Sequence, residues 1–252
     1  MELIQSKLLQ GLSNIKHGFF RPGLQGRHAA NLSFKNGAIE AVQVSRVKAC
    51  QLAGIEPKHL THVYQDHGTD IWNVTREHRG AGALTGEGQM GVGDAMITTE
   101  PGIPLAILIA DCLPLFFSSR DGQVVGIAHA GWRGTVDNLA GKMVDRFDKD
   151  YNVAPQELRV WIGPGISSCC FAVKEDVWGA FADLHKTCSW GFNKKTMKID
   201  LKTINRHQLW QAGVLKEAIE ISPDCTCCQQ SYFSYRREGP GFGHNMALIQ
   251  LR

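Results

Sequence analysis

No stretch of this chain approaches the roughly 20 consecutive apolar residues that a membrane-spanning helix needs. Its opening, MELIQSKLLQGLSN, has neither the cationic start nor the unbroken apolar run of a signal peptide, so a cytoplasmic protein is expected. Charge is nearly balanced: 27 Lys and Arg against 24 Asp and Glu leave a formal charge of +3. With no basic stripe interleaved with aromatics, this speaks against nucleic-acid and membrane partners and leaves small anionic substrates open. There is no internal repeat, heptad run or low-complexity tail. The stretch 79–93 holds six glycines but no GxxxxGK[ST] and no strand–helix frame, which makes it a long loop rather than a phosphate cradle. The eight cysteines are too dispersed for a secreted disulfide framework. Reduced thiols are expected.

What is present is enough apolar material for a sizeable core. With 252 residues, 43% hydrophobic and 20% charged, a single domain over 1–252 is expected. Its fold class is mixed α/β, a layered sandwich in which β-sheets pack together and helices cover their outer faces. Strands are expected within 1–20, in 62–70 as a short strand running into a turn, from 94 to 98, at 158–162, at 169–173 and at 246–251. Helical spacing marks 38–53 (ending at Gly54), 136–147, 176–185, 200–212 and 211–219, the last two separated at Gly213.

The most informative stretch is 104–134, PLAILIADCLPLFFSSRDGQVVGIAHAGWRG. Apolar runs at 105–110 and 124–128 flank Asp121-Gly122, a strong hairpin signal. If these two residues centre the turn, opposed positions sum to 243, so Pro114 faces His129 and Cys112 faces Gly131. Cys112 and His129 then share a face as diagonal neighbours, roughly 7–8 Å apart at the backbone and able to reach one metal. A buried thiol beside a hydrogen-bonded histidine is the plainer alternative. Asp111 points to the opposite face, and Trp132 and Arg133 follow His129 between glycines.

Other chemistry-bearing residues are more ambiguous. Arg21-Pro22-Gly23-Leu24-Gln25-Gly26-Arg27-His28 has the make-up of an anion-binding or simply solvated loop. His67 precedes a flexible Gly68 but has no evident partner. Cys225-x-Cys227-Cys228 includes a C-x-x-C spacing, yet no second CxxC or HxxxH stands at the usual distance. Cys225, Cys227 and Cys228 are therefore expected to be structural thiols. Ser234-Tyr235-Arg236-Arg237 offers two guanidiniums for an oxyanion grip, or a structural ion pair.

Taken together, Gln65-Asp66-His67-Gly68, Asp94-Ala95-Met96-Ile97-Thr98, Ala110-Asp111-Cys112-Leu113-Pro114, His129-Ala130-Gly131-Trp132-Arg133-Gly134, Gly163-Pro164-Gly165-Ile166 with Cys169-Cys170, and Phe233-Ser234-Tyr235-Arg236-Arg237 resemble the YfiH/YlmD family, also called the laccase-domain or polyphenol-oxidase family. The resemblance spans nearly the whole chain in order. It implies that His67, Cys112 and His129 bind one metal, usually zinc. It also implies phosphorolysis of adenosine, inosine, guanosine or methylthioadenosine to base and ribose 1-phosphate, with hydrolytic deamination of adenosine. The partners are then small molecules, purine nucleosides and phosphate. The chain departs from the family at the 21–26 loop, at Ala172 where glutamate is common, and at Phe242-Gly243-His244-Asn245 in place of TGR.

One thiolate and two neutral imidazoles leave a zinc with net charge +1 and a free fourth position, as in catalytic sites. Within that scheme Asp94 or Asp111 is expected to shuttle protons, Arg133 and Arg236 to clamp phosphate, and Trp132 to stack on the base or pack in the core. Three alternatives stand beside it: copper-dependent phenol oxidation, a metal-free cysteine hydrolase with Cys112 as nucleophile and His129 as base, and a non-enzymatic metal-binding scaffold.

Overall fold

The computed structural model describes residues 1–24 and 30–252. The second half of the expected anion-binding loop, from Gln25 to His28, lies outside them. The strands are β1 (Glu2–Ile4), β2 (Ile15–Arg21), β3 (Ile71–Asn73), β4 (Ala95–Thr98), β5 (Leu105–Ile109), β6 (Leu113–Ser119), β7 (Val125–Ala130), β8 (Leu158–Ile162), β9 (Phe192–Asn193), β10 (Lys198–Ile199), β11 (Ile219–Ile221) and β12 (Asn245–Leu251). The helices are α1 (Lys7–Gln10), α2 (Ile39–Ala53), α3 (Trp132–Val136), α4 (Leu139–Tyr151), α5 (Glu175–Ala180), α6 (Ala182–Thr187), α7 (Leu201–Gln211) and α8 (Tyr235–Glu238). None is long and apolar enough to cross a membrane.

Two sheets carry the architecture. One is an antiparallel four-stranded sheet in the order β1-β2-β12-β5, and the other a mixed six-stranded sheet in the order β11-β8-β6-β7-β4-β3. Strand alternation gives each sheet two apolar faces. Ile107, Ile109, Ala247 and Ile249 of the smaller sheet meet Met96, Phe116, Ile127 and Trp161 of the larger one. Behind the larger sheet, Phe117, Ala128 and Val160 pack on Met143, Val144 and Phe147 of α4 and Ile204 and Leu209 of α7. Behind the smaller sheet, Phe20, Ala106 and Leu248 pack on Ala49 and Cys50 of α2. The layers are therefore helix, sheet, sheet, helix, the sandwich expected.

Local chemistry explains the element ends. Gly54 closes α2 in the left-handed region (φ +63°), its N–H donating to Cys50 and Gln51 carbonyls. Asn138, also left-handed, interrupts the expected 136–147 helix and caps α4, its side chain accepting the Gly141 N–H. A Cβ on Gly126 of β7 would stand 3.0 Å from Met143 and 3.1 Å from Phe147, so glycine lets α4 lie close to the sheet.

The hairpin has the expected register but a different first strand. Pro114 pairs with His129 and Leu113 with Ala130. Asp121-Gly122 sits centrally between Ser119 and Val124, whose backbones pair, so the register survives a longer loop than the two-residue turn. The apolar run 105–110, however, forms β5 and pairs with β12 in the other sheet. Four further expectations are corrected. The 62–70 stretch forms no strand and makes only an isolated bridge from Tyr64 to Val92. Residues 169–170 belong to a turn, with only an isolated bridge from Ala172 to Lys198. The 176–185 helix breaks at Phe181. Instead of a helix over 211–219, a single 3₁₀ turn leads into β11, because that segment buries its apolar residues beside β8 in parallel pairing.

Candidate metal centre

The chain crosses from the smaller sheet to the larger one between β5 and β6, and Asp111-Cys112 makes that crossing. Asp111 takes a positive φ of 90°, uncommon for a residue with a side chain. It is held there by Thr226 Oγ1 donating to Oδ1 (2.6 Å), and by Ser234 Oγ (3.0 Å) and the Arg236 N–H (2.7 Å) donating to Oδ2. Its own carbonyl accepts the Ile166 N–H. This turn leaves Cys112 beside the end of β7, where His129 stands on the inter-sheet face.

Asp94, immediately before β4 and fully buried, organises the other two residues. His129 Nδ1 donates to Asp94 Oδ1 at 2.6 Å; the carboxylate is an acceptor, so the proton belongs on Nδ1 and Nε2 is left for a metal. Asp94 Oδ2 accepts the N–H groups of Gly68 (2.7 Å) and Asp66 (3.3 Å), the two residues flanking His67. Gln65 anchors the same loop, exchanging two hydrogen bonds with the Leu108 backbone of β5. His67 itself is left-handed, φ 68°, a strained conformation that these bonds sustain.

The ligand atoms of His67, Cys112 and His129 consequently lie within 4.8 Å of one another, with the two imidazoles edge to face at 4.9 Å. Gly131 completes the cradle: a Cβ there would stand 3.0 Å from His67 Cδ2 and 3.1 Å from Cys112 Sγ. Burial pushes the Cys112 thiol up, but the neighbouring His129 charge and hydrogen bonds from both histidines outweigh it and bring the pKa down to about 6. Burial also disfavours charge on His129, yet the Cys112 thiolate and Asp94 draw it up to about 10. The thiolate and the carboxylate-oriented imidazole, once its Nε2 proton is displaced by a metal, fit a zinc ion together with the second imidazole. His129 is buried and His67 exposed, so the cluster opens to solvent on the His67 side.

The other expected site residues are placed differently. Asp94 and Asp111 each have both oxygens engaged as acceptors, the posture of positioning groups. Arg133 lies over the Trp132 indole at 4.3 Å, so these two expected substrate contacts stack on each other at the start of α3, with Arg133 exposed and Trp132 half-buried against the core. Arg236 donates from Nη1 to the carbonyls of Cys170 and Ala172, which commits that nitrogen to the fold. His244, where the family has TGR, went unassigned in the sequence. Its Nδ1 is buried with no hydrogen-bond partner among the described residues, and burial together with the nearby His129 charge lowers its pKa to about 4. The departure from TGR was the only available signal.

Fold and donor set define a sandwich protein with a three-donor His/Cys/His centre at the ends of its sheets. The chain belongs to the family described as multi-copper polyphenol oxidoreductase laccase, whose model matches residues 20–252. It is 37% identical over 193 residues to the purine nucleoside phosphorylase YlmD of Geobacillus stearothermophilus, covering 75% of this chain and 70% of that one. The solved structure of YlmD from the same organism superposes with a TM-score of 0.88 at 31% identity, over 96% of this chain and 93% of that one. The hypothetical protein YfiH of Bacillus licheniformis superposes with a TM-score of 0.87 at 30% identity, over 94% and 93% of the two chains.

Proposed function

We propose that this protein is a zinc-dependent purine nucleoside phosphorylase, cleaving nucleosides such as adenosine, inosine, guanosine or methylthioadenosine with phosphate to give the free base and ribose 1-phosphate. The observation that carries it is the convergence of His67, Cys112 and His129 into one solvent-facing cluster in a chain whose relatives are named purine nucleoside phosphorylases. A zinc held by these three residues would supply Lewis acidity. The chain's own residues do the rest. Asp94 keeps His129 in the tautomer that presents Nε2 and ties the His67 loop to the same carboxylate. Asp111 holds Cys112 at the sheet crossing. Arg133 is exposed and always charged, so its guanidinium is suited to meet phosphate at the rim.

The donor set also weighs the alternatives. Copper-dependent phenol oxidation through a multinuclear centre needs several histidine-rich sites. Among the described residues, the His/Cys/Asp/Glu groups able to hold a metal are this one, with two histidines, and a second made only of thiols. A cysteine hydrolase is served by Cys112, His129 and Asp94 alone and leaves the strained, tethered His67 without a purpose. Adenosine deamination calls for a carboxylate free to carry protons, and neither Asp94 nor Asp111 has an unengaged oxygen. Phosphorolysis is therefore the reading favoured. The test is product analysis with adenosine, with and without phosphate, on protein of measured metal content. Phosphate-dependent release of adenine and ribose 1-phosphate, lost in Cys112→Ala, is expected; adenine release indifferent to phosphate or to Cys112 overturns it.

A further inference from the structure

The thiols of the C-terminal segment are not the isolated structural cysteines that their spacing predicts. The parallel bridge between Gly165 and Cys225 brings the turn bearing Cys169-Cys170 against the turn bearing Cys225-x-x-Cys228. The second cysteine pair that the sequence lacks nearby thus comes from more than 50 residues upstream. The sulfurs of Cys169, Cys170, Cys225 and Cys228 all lie within 4.8 Å of one another. Cys169 and Cys228 are 3.3 Å apart, Cys170 and Cys228 3.2 Å, and Cys169 and Cys170 3.8 Å. These separations exceed a disulfide bond of about 2.05 Å and approach the spacing of about 3.8 Å that four sulfurs adopt around a tetrahedral ion with bonds of about 2.3 Å.

We propose that Cys169, Cys170, Cys225 and Cys228 bind a second, structural zinc ion, separate from the His67–Cys112–His129 centre. Four thiolates around Zn²⁺ carry a net charge of −2, and the surroundings are built for it. Lys198 Nζ donates to the Cys169 carbonyl and Lys202 Nζ to those of Ser222 and Asp224. Arg236 donates to Cys170 and Ala172, and Arg237 to Thr226, Cys227 and Gln229. Four cations therefore hold the two cysteine-bearing turns by their carbonyls and offset the cluster's charge. The Ser167 N–H also points at Cys225 Sγ, 3.4 Å away, as N–H groups do around metal thiolates. Cys225 brings a further consequence: its neighbour Thr226 donates to Asp111, and Arg236 donates both to Asp111 and to the Cys170 turn. The zinc therefore braces the segment that fixes the Cys112 crossing.

The test separates the two sites. Cys112→Ala removes a ligand from the first site only, so after zinc loading and desalting it is expected to retain one equivalent by elemental analysis. Adding Cys225→Ser and Cys228→Ser to it is expected to bring that to none. Alkylation of the unmodified chain provides a readout that is independent of how those variants fold. With zinc bound, Cys169, Cys170, Cys225 and Cys228 are expected to resist iodoacetamide until a chelator is added, while Cys227 reacts throughout. Loss of all zinc in Cys112→Ala, free alkylation of the four cysteines in the zinc-loaded chain, or a Cys170–Cys228 disulfide in protein purified without reductant overturns the proposal. None of these outcomes depends on nucleoside turnover, so this site can fail while the phosphorylase reading stands, and the reverse.

Discussion

Replacing Asp94 with asparagine changes one atom's chemistry and opposes two demands that the carboxylate meets at once. Asp94 Oδ1 accepts from His129 Nδ1, while Oδ2 accepts the amides of Asp66 and Gly68. Asparagine offers one acceptor oxygen and one donor nitrogen. With its oxygen turned toward His129, its NH₂ meets two backbone N–H donors; with its NH₂ turned toward His129, the imidazole must give up its Nδ1 proton. Orphaning the backbone amides costs about 1–3 kcal/mol each, so the second orientation wins. His129 then carries its proton on Nε2, where the metal is expected, or binds at the cost of that hydrogen bond. Disrupting a partner of a metal-binding histidine typically lowers affinity about 10–100-fold, which is about 1.4–2.7 kcal/mol. Competition against a chromophoric chelator, with Cys112→Ala as the baseline for loss of this site, measures it. Asp94→Asn with unchanged zinc affinity would refute the assignment of Asp94 as the positioning group.

Gly131→Ala is expected to weaken metal binding without unfolding the chain, because the new Cβ presses on His67 Cδ2 and Cys112 Sγ while the backbone φ of −72° suits alanine; a thermal melt beside the chelator assay checks both halves. Arg133→Ala is expected to raise the phosphate concentration needed for phosphorolysis at least tenfold with zinc retained, whereas a purely structural Arg133 would lower stability and leave the phosphate dependence in place. Stability is expected to fall between about pH 6.5 and 4 through His17, whose buried Nε2 accepts the Ser6 N–H and whose pKa burial lowers to about 4. The unfolded chain takes up that proton first as pH falls, so the stabilisation is whole above pH 6.5 and lost on acidification, to the extent of about 3 kcal/mol. Urea unfolding across that range should show a correspondingly shallower decline in His17→Gln.

Short-range geometry was legible in the residues themselves. Asp121-Gly122 set the pairing of Pro114 with His129, because a symmetrical loop preserves register whatever its length, and a period of two then decides which side chains share a face. The spacing of 38–53 and Gly54 likewise announced α2 and its cap, and the ordered motif blocks pointed to the family. The tertiary structure alone decided that residues 105–110 join β12 rather than the hairpin, since a strand with two apolar faces pairs wherever both can be buried. The resemblance named His67 as the third ligand, but only the fold shows what brings it to Cys112 and His129: one Asp94 carboxylate that binds both the 66–68 loop and His129 of β7. The fold also placed Cys169-Cys170 against Cys225 and Cys228, turned Arg133 onto Trp132 and gave Arg236 to backbone carbonyls. A side chain's partners across dozens of residues depend on which surfaces the sheets bury against each other, and that choice is made by the packing of the whole chain.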